Sequence, residues 1–220
     1  MRYDSVCRAV FLDRPNRFIA RVELEGTVET VHVKNTGRCR ELLVPGAEVW
    51  LSAGENPARK TRYDLIAVEK NGTLFNIDSQ APNRVVREWL EGQGFDRILP
   101  EYPFGQSRLD FCLERGGERW LLEVKGCTLE RAGIGYFPDA PTQRGARHLR
   151  ELTAALEQGW RSAVVFVMQA SSIRTVLPNR DTDPAFAETL TAAEAAGVRV
   201  LCLPCRVTPD SLSIAGDRRL

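Results

Sequence analysis

Two alternating segments joined by a glycine pair carry the residue types and spacing that could do chemistry. The dipeptide Gly116-Gly117 is typical of a two-residue hairpin turn, in which both central residues have positive φ. A turn of this kind fixes the register of the two strands. In that register Asp110 lies opposite Glu123 and Arg108 lies opposite Lys125, so like charges meet in two pairs.

The facing carboxylates predict a divalent metal site. Opposed Cβ atoms in a ladder are about 4.5–5.5 Å apart, where like charges are destabilising unless something lies between them. Oxygen ligands suit Mg²⁺ or Mn²⁺. Lys125 projects from the same strand face as Glu123, where its ammonium could hold or help to deprotonate water, or neutralise phosphate charge. We therefore predict Asp110 and Glu123 as metal ligands, and both with Lys125 as catalytic residues of phosphodiester hydrolysis.

An inert charge lattice is the alternative interpretation of the same residues. Diagonal contacts of Asp110 with Lys125 and of Arg108 with Glu123 would neutralise all four groups without a metal. However, the sequence has only four lysines among 30 basic residues, and Lys125 is the only lysine after residue 70. Arginine would serve a lattice equally well, whereas lysine can lose its proton in a suitable site. The choice of lysine favours metal chemistry and leaves the lattice open.

The second half of the chain supplies the framework for this hairpin. Near Pro82 the apolar pattern changes to helical spacing, so we place a domain boundary there and predict domains 1–81 and 82–220. Helices and strands then alternate, which is typical of an α/β domain. The predicted helices are 82–92, 142–158 and 184–196, and the predicted strands are 98–104, 107–114, 119–125, 163–169 and 198–203.

The first half reads as all-β. Five short strands are predicted within about 75 residues, separated by glycine, proline and asparagine. This proportion is typical of an OB-fold, a frequent nucleic-acid platform, although a different five-stranded barrel fits the count equally well. The predicted strands are 17–24, 27–34, 47–52, 63–69 and 73–77.

Three basic clusters are candidate phosphate contacts. Two lie on predicted barrel loops and one lies in the first turns of the helix at 142–158. Basic loops are often only solvated, but on an OB-like barrel they favour nucleic-acid binding, and arginines near a helix start suggest an anionic ligand. The candidate nucleic-acid contacts are Lys34, Arg38, Arg40, Arg59, Lys60, Arg62, Arg144, Arg147 and His148.

Two further carboxylates could reach the metal site. Glu88 lies on the first predicted helix, where an exposed surface position is the alternative. Asp139 precedes the second helix, where capping is the alternative. Cys202 and Cys205 are spaced like one half of a zinc site, but no second pair accompanies them, so we interpret them as buried thiols.

Composition excludes several classes of protein. A hydrophobic content of 43% with a net charge of +1 is typical of a globular domain and excludes a histone-like basic coat. No apolar run approaches the roughly 20 residues that cross a bilayer, and no secretory signal is present, so we expect no membrane partner and a cytoplasmic location. Six cysteines are then expected as free thiols. With only two histidines, a hydrolytic triad is not indicated.

Longer motifs carry a family resemblance. Ser-Arg-Leu-Asp-Phe at 107–111 and Leu-Glu-Val-Lys-Gly at 122–126 resemble the D…ExK core of the PD-(D/E)xK nuclease superfamily. Leu109, not proline, precedes Asp110, a departure that affects turn geometry more than ligation. Together with the segments at 35–43, 123–129 and 137–149, these motifs resemble the sugar fermentation stimulation protein A family over nearly the whole chain.

The resemblance implies an N-terminal OB-like barrel and a C-terminal nuclease-like mixed sheet flanked by helices. It also implies non-specific DNA binding and a regulatory link to sugar (maltose) metabolism, without establishing cleavage. Three hypotheses follow. The chain is a Mg²⁺- or Mn²⁺-dependent nuclease, a DNA-binding regulator that keeps the nuclease scaffold without cleavage, or an interaction protein with an inert charge lattice.

Overall fold

The first part of the chain forms a closed five-stranded barrel. The computed structural model describes residues 1–35, 37–54 and 59–220. Strands β1 to β5 follow the order β3-β2-β1-β4-β5, and a short parallel pairing of β3 with β5 closes the barrel. Strand β6 pairs with β5 at the edge. The bounds are β1 Val6–Asn16, β2 Ile19–Leu24, β3 Thr27–Val33, β4 Glu48–Ala53, β5 Tyr63–Lys70 and β6 Thr73–Asn76.

The strand count of the barrel is confirmed, but one of its members differs from the prediction. Strand β1 lies in the ring between β2 and β4, whereas the predicted strand at 73–77 corresponds to β6 and lies outside the closed ring. The pattern of β1 is weak because only Ala9 and Phe11 are buried along its length. Its remaining residues are partly or fully exposed, so period-two alternation is not visible in the sequence.

The second part is a mixed six-stranded sheet between helices. The sheet order is β15-β14-β12-β9-β8-β7, with β12 parallel to both β9 and β14. A small sheet of β10, β11 and β13, which was not predicted, lies beside it. The bounds are α1 Ala81–Glu91, β7 Arg97–Phe104, β8 Ser107–Arg115, β9 Glu118–Cys127, β10 Glu130–Arg131, β11 Ile134–Phe137, α2 Gln143–Glu157, β12 Arg161–Met168, β13 Thr175–Pro178, α3 Pro184–Ala196, β14 Arg199–Thr208 and β15 Ser211–Ile214.

Two apolar layers hold the central hairpin of β8 and β9. On one face Phe111 and Leu122 pack in the same cluster as Val85, Val86 and Leu90 of α1. On the other face, α2 and α3 cover a second cluster. Burial of complete aliphatic side chains contributes about 1.5–3 kcal/mol each, so both layers hold the hairpin firmly. The second cluster contains Leu109, Cys112, Leu121, Leu149, Leu152, Val164, Phe166 and Phe186.

The barrel and the sheet are joined by shared core and backbone contacts. The barrel core cluster includes Cys127 and Met168 of the sheet strands. The amide of Asn76 donates to the carbonyl of Gln169 at 2.9 Å, and Phe75 forms a β-bridge with Ala170. Among the helices of the described ranges, none is long and apolar enough to cross a membrane.

Candidate active site

The glycine turn sets the register of the hairpin as predicted, but only over its first five pairs. The ladder of β8 and β9 runs from Arg115 opposite Glu118 to Phe111 opposite Leu122. Gly116 and Gly117 both have positive φ, as the turn requires. Beyond Phe111 the ladder contains no further pair, so the expected backbone pairing of Asp110 with Glu123 is not present.

The side chain of Asp110 replaces the missing ladder bond. Its Oδ2 accepts a hydrogen bond from the backbone N–H of Val124 at 2.7 Å, where a regular ladder would use a carbonyl oxygen. At the same point Leu109 packs in the helix α2 cluster, whereas Phe111 packs in the α1 cluster. Leu109 and Phe111, two residues apart on β8, therefore face different apolar layers, so strict alternation is interrupted at Asp110.

Helix α1 supplies a second contact to Asp110. The side-chain amide of Asn83, in the first turn of α1, donates to Oδ1 of Asp110 at 2.7 Å. Burial, and then the negative charge of Glu123, raise the pKa of Asp110 to about 6. The two carboxylates are thus close enough to oppose each other's ionisation although their backbones are not paired. Sequence reasoning missed Asn83 because its contact to Asp110 spans 27 residues.

Glu123 lies at the centre of the site and is 3% exposed. Its Oε1 accepts from Nζ of Lys125 at 2.6 Å and contacts Nδ1 of His148 at 2.6 Å. Burial alone would raise the pKa of Glu123, but the hydrogen bond from His148 and the charge of Lys125 lower it overall. Its second oxygen, Oε2, is buried and has no hydrogen-bond partner among the described residues.

The placement of His148 corrects its expected role as a surface phosphate contact. The residue is 2% exposed, and Nε of Arg144 donates to its Nε2 at 3.3 Å. Because arginine Nε always donates, Nε2 must accept, and the ring proton is then on Nδ1, where it is directed at Glu123. His148 is therefore a positioning residue for the carboxylate. Arg144 and Arg147 are exposed on α2, as expected of surface contacts.

The donor set of the site fits a hard divalent cation. Carboxylate oxygens are the ligands that Mg²⁺ and Mn²⁺ prefer, and each ionised oxygen of Asp110 keeps a lone pair beyond its one hydrogen bond. The orphaned Oε2 of Glu123 is a buried acceptor that a cation would satisfy. Within the described ranges no group of three or more His, Cys, Asp and Glu side chains is arranged around a metal position. Asp110 and Glu123 would hold the cation, with water and substrate oxygens as the other ligands.

Close packing fixes the end of the strand that carries Lys125. A Cβ atom on the following residue, Gly126, would collide with the side-chain oxygen of Gln169 and lie 2.8 Å from Cγ of Pro82. Gln169 is itself anchored by hydrogen bonds to the carbonyls of Asn76 and Asp78 at 3.1 and 3.2 Å. The lysine therefore stands on rigid backbone at the junction of the barrel and the sheet.

Two of the side chains that were predicted to bind phosphate from the barrel instead form ion pairs with a buried carboxylate. Lys34 and Arg59 both bind Asp64, which also contacts Nδ1 of His32 at 2.9 Å. Because Lys34 and Arg59 already compensate a buried charge, they are less free to bind phosphate than exposed side chains. The exposed members of the predicted loop clusters are Arg38, Arg40, Lys60 and Arg62.

Lys34 therefore offers a test of this assignment. We expect Lys34→Ala to lower the free energy of unfolding by about 1 kcal/mol, because Asp64 loses one of its three partners and keeps Arg59 and His32. Urea unfolding measures this change, and oligonucleotide binding by the same variant should remain near that of the native chain. Arg38→Ala provides the matched control, with binding expected to weaken and stability to stay unchanged. The reverse pattern would show that Lys34 contacts phosphate.

The two additional carboxylates have other partners, and within the described ranges they form no three-membered ligand group with Asp110 and Glu123. Glu88 binds the N-terminal ammonium of Met1 at 2.5 Å and is about half exposed. Asp139 is beside Gly37 of the barrel, where a Cβ atom would come within 2.6 Å of its Oδ2. The helix that follows is capped by Thr142, whose Oγ1 accepts from the amide of Gly145 at 3.0 Å. Neither carboxylate is assigned to the site.

Comparisons with known proteins agree with this architecture. A family model described as the SfsA N-terminal OB domain matches residues 12–77, and one described as the sugar fermentation stimulation protein RE domain matches residues 80–211. A sugar fermentation stimulation protein homolog of Desulfitobacterium hafniense is 51% identical over 220 residues, covering 99% of this chain and 96% of that protein. A homolog of Ruminiclostridium cellulolyticum is 43% identical over 218 residues, covering 97% and 96%.

A solved structure shares the whole fold. It is described as the structure of Pyrococcus furiosus SfsA in complex with Ca²⁺, and it matches with a TM-score of 0.87 and 28% sequence identity. The match covers 98% of this chain and 96% of that chain. With both domain models and full-length relatives in agreement, the chain belongs to the sugar fermentation stimulation protein family.

Proposed function

We propose that the chain binds nucleic acid and hydrolyses its phosphodiester bonds with Mg²⁺ or Mn²⁺ held by Asp110 and Glu123. The observation that carries the proposal is the buried Oε2 of Glu123, which has no partner among the described residues. An unsatisfied buried acceptor costs about 1–3 kcal/mol, and more when charged, which a bound cation would recover. The Ca²⁺ named for the Pyrococcus furiosus relative is also an oxygen-ligated dication and supports this choice.

Each residue of the site has a distinct part in this proposal. When bound, the cation would polarise a phosphate oxygen and activate water. Lys125 lies 2.6 Å from Glu123, within reach of a water or phosphate oxygen beside the same carboxylate. Asn83 and His148 orient the two carboxylates through their hydrogen bonds. The proposed phosphate contacts outside this centre are the exposed basic side chains of the barrel loops and of α2.

A DNA-binding regulator of sugar (maltose) metabolism that retains the scaffold without cleavage is the second candidate. One specific observation favours it, since Lys125 compensates the charge of Glu123 without a metal and His148 adds a hydrogen bond to the same Oε1. Under this alternative, nucleic acid binds equally well with or without divalent cations and is not cut. The exposed arginines would then bind DNA as a non-specific electrostatic surface.

Metal titration tests the proposed centre directly. We expect calorimetry to detect Mn²⁺ binding by the native chain, and saturating Mn²⁺ to raise the free energy of unfolding, by about 2.7 kcal/mol at 100 times Kd. Asp110→Asn removes the charge without changing the volume and should abolish both effects. Glu114→Gln on the same strand, which alters a partly exposed carboxylate paired with Arg97, is the matched control. Undiminished Mn²⁺ binding by Asp110→Asn would contradict the assignment.

A further inference from the structure

A basic groove lies on the barrel. It encloses about 490 Å³ and is bordered by the β1–β2 turn, the loop after β3 and the segment before α2. No Asp or Glu side chain is among the described residues that line it. Such a concentration of one charge sign attracts a polyanion in a chain whose net charge is only +1. Its arginines are Arg14, Arg17, Arg38 and Arg40.

Arg14 holds the walls of the groove together, and the other three arginines are available to bind a ligand. Its guanidinium donates to the carbonyl oxygens of Arg17, Asn35, Gly37 and Arg38, at distances of 2.6 to 2.9 Å. These bonds tie the β1–β2 turn to the loop after β3. Within residues 1–35, 37–54 and 59–220, the guanidinium groups of Arg17, Arg38 and Arg40 form no ion pair.

An exposed aromatic ring stands at the rim of the groove. Phe18 follows Arg17 in the β1–β2 turn and is 50% exposed. The guanidinium of Arg17 lies 5.9 Å from the centre of its ring. Basic grooves combined with exposed aromatic rings are typical of proteins that bind single strands, because every base offers a face for stacking. In OB-folds, the loop between the first two strands often takes part in such contacts.

The groove adjoins a narrower cleft that reaches the catalytic strand. The two spaces share Gly37, and the cleft extends to Gly126, the residue after Lys125. Its volume of about 160 Å³ is below the 300–1,000 Å³ of pockets that enclose a whole small ligand. The cleft is thus too small to hold a whole nucleotide, and it ends at the strand that carries Lys125 without being lined by Lys125 itself.

We propose that this groove binds single-stranded nucleic acid, with a base stacked on Phe18 and phosphates on Arg17, Arg38 and Arg40. The inference rests on the proposed nucleic-acid function and names its substrate class. Phosphates and bases are common to DNA and RNA, so the contacts alone define a single strand of either sugar. Arg14 positions the groove and makes no contact with the ligand in this arrangement.

Fluorescence anisotropy with labelled oligonucleotides tests the proposal in metal-free buffer at low salt. The probes are oligo-dT and oligo-U of about 12 nucleotides, matched to the footprint of one OB-fold, and a DNA duplex of the same length. We expect both single strands to bind more tightly than the duplex. Phe18→Ala should weaken single-strand binding roughly tenfold and leave the weaker duplex binding unchanged. Preference for oligo-dT or oligo-U identifies the sugar.

Two control variants separate stacking and charge from general surface effects. Val28→Ala removes another exposed apolar side chain of the barrel, 60% exposed, and should not change binding. Arg38→Ala should lower the salt dependence of single-strand binding by roughly 0.7 in log–log slope, as expected for one lost phosphate contact. Arg206→Ala, an exposed arginine on β14, should not change it.

The outcomes distinguish this inference from the proposed function. Duplex binding equal to or tighter than single-strand binding, or an unaltered affinity of Phe18→Ala, overturns the inference and leaves nucleic-acid binding in place. Absence of binding to all three probes overturns both. Circular dichroism of Phe18→Ala checks that the barrel is folded, which the exposure of the ring leads us to expect.

Discussion

Replacement of Lys125 by alanine is expected to lower Mn²⁺-dependent cleavage of nucleic acid roughly 10²- to 10⁴-fold while Mn²⁺ binding persists. The physical reason is that Lys125 contributes a positive charge and proton donors beside Glu123, but it is not a metal ligand. Its loss removes stabilisation of the phosphate in the transition state and leaves both carboxylates in place. Single-turnover cleavage of a labelled oligonucleotide measures the effect, with calorimetry on the same variant for Mn²⁺.

The site geometry makes this variant a fair test of catalysis. Glu123 keeps its 2.6 Å contact with His148 when Lys125 is removed, so the carboxylate is not left without a partner. Lys70→Ala, at the end of a barrel strand, is the matched control for loss of one lysine charge and should cleave like the native chain. Equal cleavage by Lys125→Ala and the native chain would rule out the assigned role. Failure of the native chain itself to cleave any oligonucleotide in Mn²⁺ would favour the scaffold regulator.

The Lys125→Arg variant tests whether a positive charge at this position is sufficient for cleavage. If positive charge alone supports cleavage, the arginine variant should retain most of the activity. If a compact ammonium is needed to hold water beside Glu123, the planar guanidinium should restore little of it. A pH–rate profile of the native chain and the arginine variant separates the two, because only a lysine can lose its proton in the accessible range.

The part of the site that sequence could predict is the part fixed by local chemistry. The Gly116-Gly117 turn determines which residues of β8 and β9 oppose each other, and the pairs from Arg115 to Phe111 follow that register. The structure departs from the predicted register at Asp110, whose carboxylate accepts a hydrogen bond from the backbone amide of Val124. A pattern of alternation cannot show that a side chain will replace a ladder bond, because that exchange depends on three-dimensional approach.

The contacts that complete the site are non-local and were not predictable. Asn83 reaches Asp110 from α1, and His148 reaches Glu123 from α2, across 27 and 25 residues of sequence. In the sequence His148 lies among arginines on a helix with a polar face, a pattern that predicts a surface contact. Its actual position follows from the rotation of α2 on the sheet, which the apolar stripe of that helix sets only approximately.

The barrel shows the same division between local and distant information. Its class was predictable from strand number and turn residues, whereas the role of Arg14 was not. Arg14 lies on a poorly patterned strand and organises a loop more than 20 residues away through backbone carbonyls. Every residue has a backbone carbonyl, so the sequence does not show which carbonyls an arginine will bind. A structural arginine such as Arg14 therefore cannot be distinguished by sequence from an arginine that binds a ligand.

Replacement of Asp64 is the second change for which we expect a large effect, in this case on the free energy of unfolding. Hydrogen bonds from Arg59, His32 and Lys34 outweigh burial and lower the pKa of this carboxyl to about 2. A carboxyl whose folded pKa is depressed stabilises the fold above its unfolded pKa of about 3.8 and loses that contribution as pH falls towards 2. The shift corresponds to about 2 kcal/mol, and solvent screening of its partly exposed partners reduces the expected value to about 1–2 kcal/mol.

Asp64→Asn should therefore be less stable than the native chain at pH 7 by about 1–2 kcal/mol, with a gap that narrows between about pH 5 and pH 2. The gap narrows because the carboxyl of the unfolded chain takes up a proton below its pKa of about 3.8, which stabilises the unfolded native chain, whereas the folded carboxyl stays ionised to about pH 2. Urea unfolding at a series of pH values measures it. Asp13→Asn, an exposed barrel carboxylate paired with Arg21, should show a much smaller gap. A gap for Asp64→Asn that stays constant with pH would mean that Arg59, His32 and Lys34 do not stabilise the ionised carboxyl, and that Lys34 and Arg59 are free for phosphate after all.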